Sequence, residues 1–345
     1  MLIGGGKNRI EFIDLAKGVC ILLVVFIHCC SSGTESNMDV SLKSLRMPLY
    51  FVLSGLFFST YGSLYNLVVR KINKMIIPFV FFMVISYMVS YCIDMISGNQ
   101  ITYHITHNLT LSRTWWNSPF WPNVALWFLI CLFWDNMLFC IISFISSKKI
   151  IQGLLCMGLA LVGVLLQHIG KRLPIYVDSA FLSLPFFYFG YLLRKSGILI
   201  GSASRKELII ATCALLIMII IPIYSMSYID FRSANLSGNI VVAFGLPLFS
   251  VVGVLLLCKA IVRLPIISYF GRYSIVILGI HWPIILIASN FSNVLATDWK
   301  YLFYIVLMAS MYPLIKFFIK VFPYFTAQKD LITLTPSIQR KRNVA

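Results

Sequence analysis

The sequence predicts an all-α fold, a polytopic membrane helix bundle of about ten transmembrane helices. Hydrophobic residues make up 60% of the 345 residues and charged residues only 11%. The mean hydropathy of +0.91 lies far outside the usual range of soluble globular proteins. Apolar runs long enough to cross a bilayer recur along the whole chain. They cover residues 12–30, 46–62, 75–96, 123–146, 150–167, 179–193, 207–225, 238–258, 273–290 and 301–319.

The distribution of lysine and arginine sets the predicted orientation of this bundle. With the N-terminus inside, the inner segments hold nineteen of the 28 basic residues and the outer segments hold seven. Cytoplasmic loops collect basic residues, so both termini are expected to be cytoplasmic. Membrane topology thus explains the formal net charge of +17, and we expect membrane lipid and no nucleic acid as a partner.

Composition divides the chain into a membrane domain, residues 1–327, and a basic cytoplasmic tail, residues 328–345. We expect the first apolar run to stay in the protein, because Glu11, Asp14 and Lys17 interrupt it and no clean small-residue cleavage site follows. The nine cysteines lie almost entirely in apolar spans, where they behave as small hydrophobic residues. No disulfide framework is predicted.

The first span, Glu11 to Cys30, carries three ionisable residues on one face. Lys17 and His28 are eleven residues apart, which at 100° per residue is three turns plus about 20° and about 16 Å of rise. Asp14 falls on the same face. Because an ionisable group facing lipid costs several kcal/mol, this stripe is predicted to face a polar interior lined by protein. The alternative is that Asp14 and Lys17 are interfacial anchors and His28 lies at the far headgroup layer.

Two features of the next segment extend this pattern. Arg46 lies at the same membrane face as His28, and the seventeen residues between them can bring the two together. The small pair Ser54 and Gly55 lies within the second predicted span and lets a ligand or, more simply, another helix approach closely.

Arg70, Lys71 and Lys74, which we call the basic cluster, precede Pro78 on the predicted cytoplasmic side. The positive-inside bias alone would explain these charges. The functional alternative is an anion site, because arginine and lysine side chains grip the phosphate groups of cytosolic cofactors.

His281 and Asp135 are predicted to lie deep in the membrane. A buried histidine can simply bridge neighbouring helices or can take part in chemistry. A buried carboxylate is costly unless it is neutralised or paired, and Lys17 and Arg272 are its candidate partners.

The predicted outer loop before the fourth span is rich in aromatic residues. Trp115 and Trp116 occupy positions typical of the interfacial tryptophan belt, and the sharper alternative is stacking on a carbohydrate beside Arg113. His104 and His107 have the i,i+3 spacing of metal ligands, but no third ligand is close in sequence. We therefore predict sugar contacts in this loop and no metal site.

Six segments, in this order, carry a resemblance to a known family. They are DLAKG followed by a run ending in His28, RMPLYFVLSG, the basic cluster before Pro78, ALWFL at 125–129, LPFFYFG at 184–190 and FGRYSIVILGIHWP at 270–283. Over nearly its whole length the chain resembles the membrane-bound acyltransferase family 3, and within it the fucose 4-O-acetylase-like members. The family carries an arginine at the position of Lys17, and a lysine there lacks the bidentate fork.

The resemblance implies a plasma (inner) membrane enzyme that transfers an acyl group, often acetyl from acetyl-CoA, to an extracytoplasmic glycan or lipid-linked sugar. Such a transfer needs a base for the sugar hydroxyl proton and donors for the developing oxyanion. His28, with an ordinary histidine pKa of about 6.5, is the predicted base. Arg46 and Lys17 are the predicted donors, although Lys17 could equally hold the thioester or balance Asp14. His281 is the second histidine that could carry or receive the acyl group.

A second function class fits the same sequence pattern. A polar stripe along one membrane helix suits a conduit as well as a catalyst, and an exporter of polysaccharide or of a small molecule is the competing hypothesis. Consumption of acetyl-CoA in the presence of the native glycan would separate the two.

Overall fold

The computed structural model describes residues 10–30, 36–98 and 122–333, and these residues form a helical bundle with one small hairpin. The predicted all-α class is therefore confirmed, with two short strands added. The elements are α1 Glu11–Cys30, α2 Asn37–Leu56, α3 Leu64–Lys71, a π-helical turn Ile72–Ile76, α4 Ile77–Ser97, α5 Trp127–Ile145, α6 Lys149–His168, α7 Val177–Ser196, α8 Arg205–Tyr224, β1 Tyr228–Asp230, β2 Asn235–Ser237, α9 Ile240–Ile261, α10 Pro265–Arg272, α11 Ser274–Phe291 and α12 Trp299–Val321.

Within the described residues, nine helical segments are long and apolar enough to cross a membrane. Each of them overlaps one predicted span. The tenth prediction, 46–62, needs correction, because α2 begins at Asn37 and ends at Leu56. Ser36 and Asp39 form a capping box that starts the helix earlier than predicted. The charged side chains in the first half of α2 lower its hydropathy, so this half was not included in the predicted span.

The described chain begins and ends on one face of the bundle, because α1 ends where α12 begins, with the Cys30 thiol 3.8 Å from the carbonyl oxygen of Lys300. Glu11 contacts Arg263 at 3.1 Å and Lys74 contacts Asp330 at 2.9 Å. The end of α1, the start of α2 and the hairpin meet at the opposite face, where Lys43 Nζ lies 4.1 Å from the ring centroid of Tyr228. This arrangement agrees with the predicted even number of passes. We call the face with the hairpin the predicted outer side.

Helix α1 occupies the centre of the bundle and contacts α2, α9, α10, α11 and α12. The first half of α1 packs closely against α10. A Cβ atom on Gly18 would collide with the backbone of Ile267, and one on Gly271 would collide with the backbone of Asp14. Asp14 is only 8% exposed. The ionisable stripe of α1 therefore faces protein, as predicted.

A second close crossing joins α2 to α7. A side chain on Gly55 would enter the backbone of Phe187, and one on Gly190 would enter the backbone of Val52. Small residues permit this approach of two backbones. The packing interpretation of Gly55 is thus confirmed.

The hairpin closes the bundle at the predicted outer side. Strands β1 and β2 pair antiparallel, with Tyr228 opposite Ser237 and Asp230 opposite Asn235. The end of α6 fixes β2, because Gln167 accepts from the backbone N–H of Leu236 at 2.7 Å and donates to its carbonyl at 2.9 Å. These contacts hold the turn between the strands over the end of α1 and the first half of α2.

Candidate active site

A cavity of about 210 Å³ opens at the predicted outer side between α1, α2, the start of α5 and the hairpin. We call it the outer cavity. Its wall combines apolar and aromatic side chains with several charged ones. The residues lining it include Val24, Ile27, His28, Lys43, Arg46, Met47, Tyr50, Ala125, Trp127, Phe128, Ile229, Asp230, Phe231, Arg232 and Leu278.

His28 and His281 form a hydrogen-bonded pair at this cavity. His28 Nδ1 lies 2.9 Å from His281 Nε2, and His281 Nδ1 lies 2.8 Å from the carbonyl oxygen of Ile277. A carbonyl oxygen only accepts, so His281 Nδ1 carries the hydrogen and, in the neutral ring, its Nε2 is the acceptor. His28 therefore donates from Nδ1, and its Nε2 keeps a lone pair when the ring is neutral.

Packing fixes the orientation of the His28 ring. The planes of the two imidazoles differ by only 2°, and Trp282 approaches the His28 ring edge-on at 5.2 Å between centroids. His281 itself is fully buried on α11. The result is an imidazole that lines the cavity and has one nitrogen held by a buried partner.

Arg46 is tied to α1 from the neighbouring helix. The Cys20 thiol lies 2.5 Å from the carbonyl oxygen of Arg46, and the Tyr50 hydroxyl donates to the carbonyl oxygen of Lys17 at 3.2 Å. These two bonds set the register between α1 and α2. They bring Arg46 and Tyr50 into the wall that contains His28.

A model of the acyltransferase domain of family 3 matches residues 10–315. The chain belongs to acyltransferase family 3. No curated protein and no solved structure gives a match. The protein is therefore a multi-pass membrane O-acyltransferase, and the closer likeness to fucose 4-O-acetylases stays a prediction.

The predicted catalytic residues of this acyltransferase fall into two groups. His28 and Arg46 line the outer cavity, and His281 is bonded to His28. Lys17 and Asp14 lie nearer the start of α1 and do not line that cavity. The Lys17 amine is 5.5 Å from the ring centroid of Phe57. Roles for Lys17 and Asp14 in the chemical step stay predictions.

The basic cluster of the acyltransferase lies at the opposite face, around the π-helical turn. Arg70 stacks over the ring of Tyr61 at 4.1 Å. Lys74 donates to the carbonyl oxygen of Ala327 at 2.7 Å in addition to its ion pair with Asp330. The buried Asn73 side chain accepts from the backbone N–H groups of residues 331 and 332 and donates to the carbonyl of residue 332. The first residues of the predicted tail are thus bonded to the predicted cytoplasmic end of the bundle.

Asp135 lies fully buried on α5, as predicted, but its partner differs from the candidates named above. The Ser183 hydroxyl of α7 donates to Asp135 Oδ1 at 2.9 Å. The neighbouring Asn136 donates to the Ser54 hydroxyl at 3.3 Å. This arrangement links α5, α7 and α2 within the bundle, at residues that do not line the outer cavity.

Several predicted positions lie outside the described residues. They are the sugar-contact candidates Arg113, Trp115 and Trp116, together with His104 and His107. Within residues 10–30, 36–98 and 122–333, no group of three His, Cys, Asp or Glu side chains could hold a metal ion.

The structure also adds residues to the site that the sequence analysis did not select. Lys43, Tyr50, Trp127 and Arg232 all line the outer cavity. Lys43 precedes Arg46 by three residues, and this helical spacing on a polar half-helix is a signal that would have found it. Arg232 lies in the turn of a hairpin that no hydropathy pattern indicated.

Proposed function

We propose that this O-acyltransferase moves an acetyl group from cytosolic acetyl-CoA to a hydroxyl of an extracytoplasmic glycan or lipid-linked sugar at the plasma (inner) membrane. The observation that carries the proposal is the His28–His281 pair at the outer cavity. Membership of acyltransferase family 3 indicates acyl transfer. The location of the histidine pair near the predicted outer side favours an acceptor that approaches from outside.

In the proposed reaction, Nε2 of His28 takes the proton of the sugar hydroxyl as the oxygen attacks the thioester carbonyl carbon. The carbon–sulfur bond then breaks, and the proton passes from His28 to the departing thiolate of coenzyme A. His281 holds the Nδ1 hydrogen of His28 throughout, so the ring presents the correct nitrogen and its transient positive charge has a neighbouring acceptor.

Arg46 is the proposed donor to the oxyanion that develops on the carbonyl oxygen. A fixed cationic donor in a cavity with aromatic walls stabilises developing charge better than one in water. Its backbone carbonyl is bonded to Cys20, so the start of its side chain is fixed relative to α1.

The basic cluster is the proposed site for the phosphate groups of acetyl-CoA at the cytoplasmic end. Two of its cations are already oriented, Arg70 by Tyr61 and Lys74 by Asp330. Sugar contacts are proposed for Arg113, Trp115 and Trp116, which precede α5, a helix whose start borders the outer cavity.

The test uses the purified acyltransferase, acetyl-CoA and the glycan extracted from its native cells, with mass spectrometry of the glycan as the readout. Wild-type protein should add acetyl groups, and His28→Ala should lose about 10²–10⁴-fold in rate. Full acetylation by His28→Ala would refute the catalytic assignment. In cells that express His28→Ala, an unmodified glycan that also fails to reach the cell surface would favour the competing function, export of the polysaccharide.

A further inference from the structure

The outer cavity carries an excess of positive charge. Among the described residues that line it, the charged ones other than His28 are Lys43, Arg46, Arg232 and Asp230. Three cations thus accompany one carboxylate beside a histidine pair. A concave site with one sign of charge and low-dielectric walls focuses its field on whatever enters it.

The single carboxylate of this set is engaged in its own turn. Asp230 Oδ1 accepts from the backbone N–H of Arg232 at 3.1 Å and of Ser233 at 3.5 Å. These bonds shape the turn that presents Arg232. The carboxylate therefore helps to position one cation, and the lining keeps its net positive charge.

The cations come from two separate elements that are both held in place. Lys43 and Arg46 are one helical turn apart on α2, and Lys43 lies over the ring of Tyr228 in β1. The hairpin carrying Arg232 is fastened from the far side, because Arg172 donates to the carbonyl oxygen of Ala234 at 2.6 Å. The cations are brought together by tertiary structure rather than by exposure on one solvated face.

We infer that Lys43 and Arg232, next to Arg46, bind a negatively charged group on the acyl acceptor. The inference rests on the proposed function in taking the bound molecule to be the acceptor sugar. The group is a carboxylate or a phosphate, since both match the planar donor fork of arginine and the point charge of lysine. Lys43 and Arg232 are then specificity residues that place the acceptor hydroxyl near His28.

The experiment measures binding of defined sugars to the purified wild-type acyltransferase without acetyl-CoA, so that no turnover occurs. The probes are glucose, galactose and mannose, each compared with its uronate and with its 1-phosphate. At least one charged probe should bind at least about tenfold more tightly than its neutral counterpart, the factor expected for one or more charge-assisted contacts. Preference for the uronate indicates an acidic sugar, and preference for the phosphate indicates a phosphorylated one.

The double variant Lys43→Gln, Arg232→Gln should lose this preference while its thermal unfolding stays cooperative. Lys171→Gln, which removes an exposed lysine of the predicted outer side that does not line the cavity, should keep it. Equal binding of charged and neutral sugars, no binding of any charged probe, or a preference that survives in the double variant would each overturn the inference. A charge preference without acetyl transfer would instead overturn the proposed function alone.

Discussion

His281 should act on catalysis only through His28, and a pair of substitutions can show this. His281 is fully buried and its Nε2 is the acceptor for His28 Nδ1 at 2.9 Å. His281→Phe keeps a ring at this position but offers no acceptor. The His28 ring can then bond elsewhere or change its tautomer, and the lone pair needed at Nε2 is no longer enforced.

The magnitude follows from the hydrogen bond that is lost. A buried donor left without a partner costs about 1–3 kcal/mol, and about 1.4 kcal/mol corresponds to a factor of ten. We expect His281→Phe to lower kcat by about 5–150-fold with little change in KM for acetyl-CoA. His28→Ala removes the base itself and should lower kcat by about 10²–10⁴-fold. The double variant should be no slower than His28→Ala, because residues that act as one unit are not additive.

The assay follows release of the coenzyme A thiol with acceptor present, at matched protein levels and with thermal unfolding in detergent as the control for folding. His281→Gln is the matched conservative variant, since its amide oxygen can accept from His28 Nδ1 and should restore part of the rate. Wild-type activity in His281→Phe would refute the relay. A double variant slower than His28→Ala by the full His281 factor would show that His281 touches the reacting groups itself.

Four further predictions concern the donor side, the topology and the packing. Replacing the whole basic cluster by glutamine should weaken acetyl-CoA binding at least tenfold, at about 1.5–3 kcal/mol per charge-assisted contact; unchanged affinity in a donor titration would leave these residues as topology signals. Lys17→Met should raise KM for acetyl-CoA more than it lowers kcat, and steady-state kinetics showing the reverse would place Lys17 in the chemical step. A reporter fused after the last residue should be cytoplasmic and one inserted near Ser36 extracytoplasmic; finding both on one side would contradict the even number of passes. Gly55→Val should lower the unfolding temperature through overpacking of about 1–3 kcal/mol, whereas Gly158→Val on the open face of α6 should not, and equal shifts would argue against the α2–α7 crossing.

Hydropathy was sufficient for most of the fold because bilayer thickness and backbone hydrogen bonding leave few alternatives for an apolar run. Hydropathy misplaced the bounds of α2, because part of that helix faces protein and not lipid. Lys43 and Arg46 lie in the first half of that helix and face the outer cavity, so their cost is met by protein and not by lipid. Because hydropathy measures only apolar character, the predicted span was shifted toward the apolar second half of the helix.

The helical period placed His28 on an inward face, but it could not select His281 as the partner. The two histidines are 253 residues apart in the chain, and their pairing depends on how α11 packs beside α1. The hairpin was missed because its strands are only three residues long and lie between two apolar spans. Arg232 therefore entered the site through tertiary contacts alone.

The geometry of α1 leads us to propose that Lys17 holds the acyl donor and that His28 takes part in the chemical step. The two residues share a face about 16 Å apart, which is about half the thickness of a hydrocarbon core. Around Lys17 the backbone of α10 is pressed against α1, whereas around His28 the bundle opens into the outer cavity. An acyl group that arrives from the cytosol must cross about half of the hydrocarbon core inside the protein before it reaches His28. A cation part-way along that path can hold the donor, but it is too far from Nε2 of His28 to share in the proton transfer.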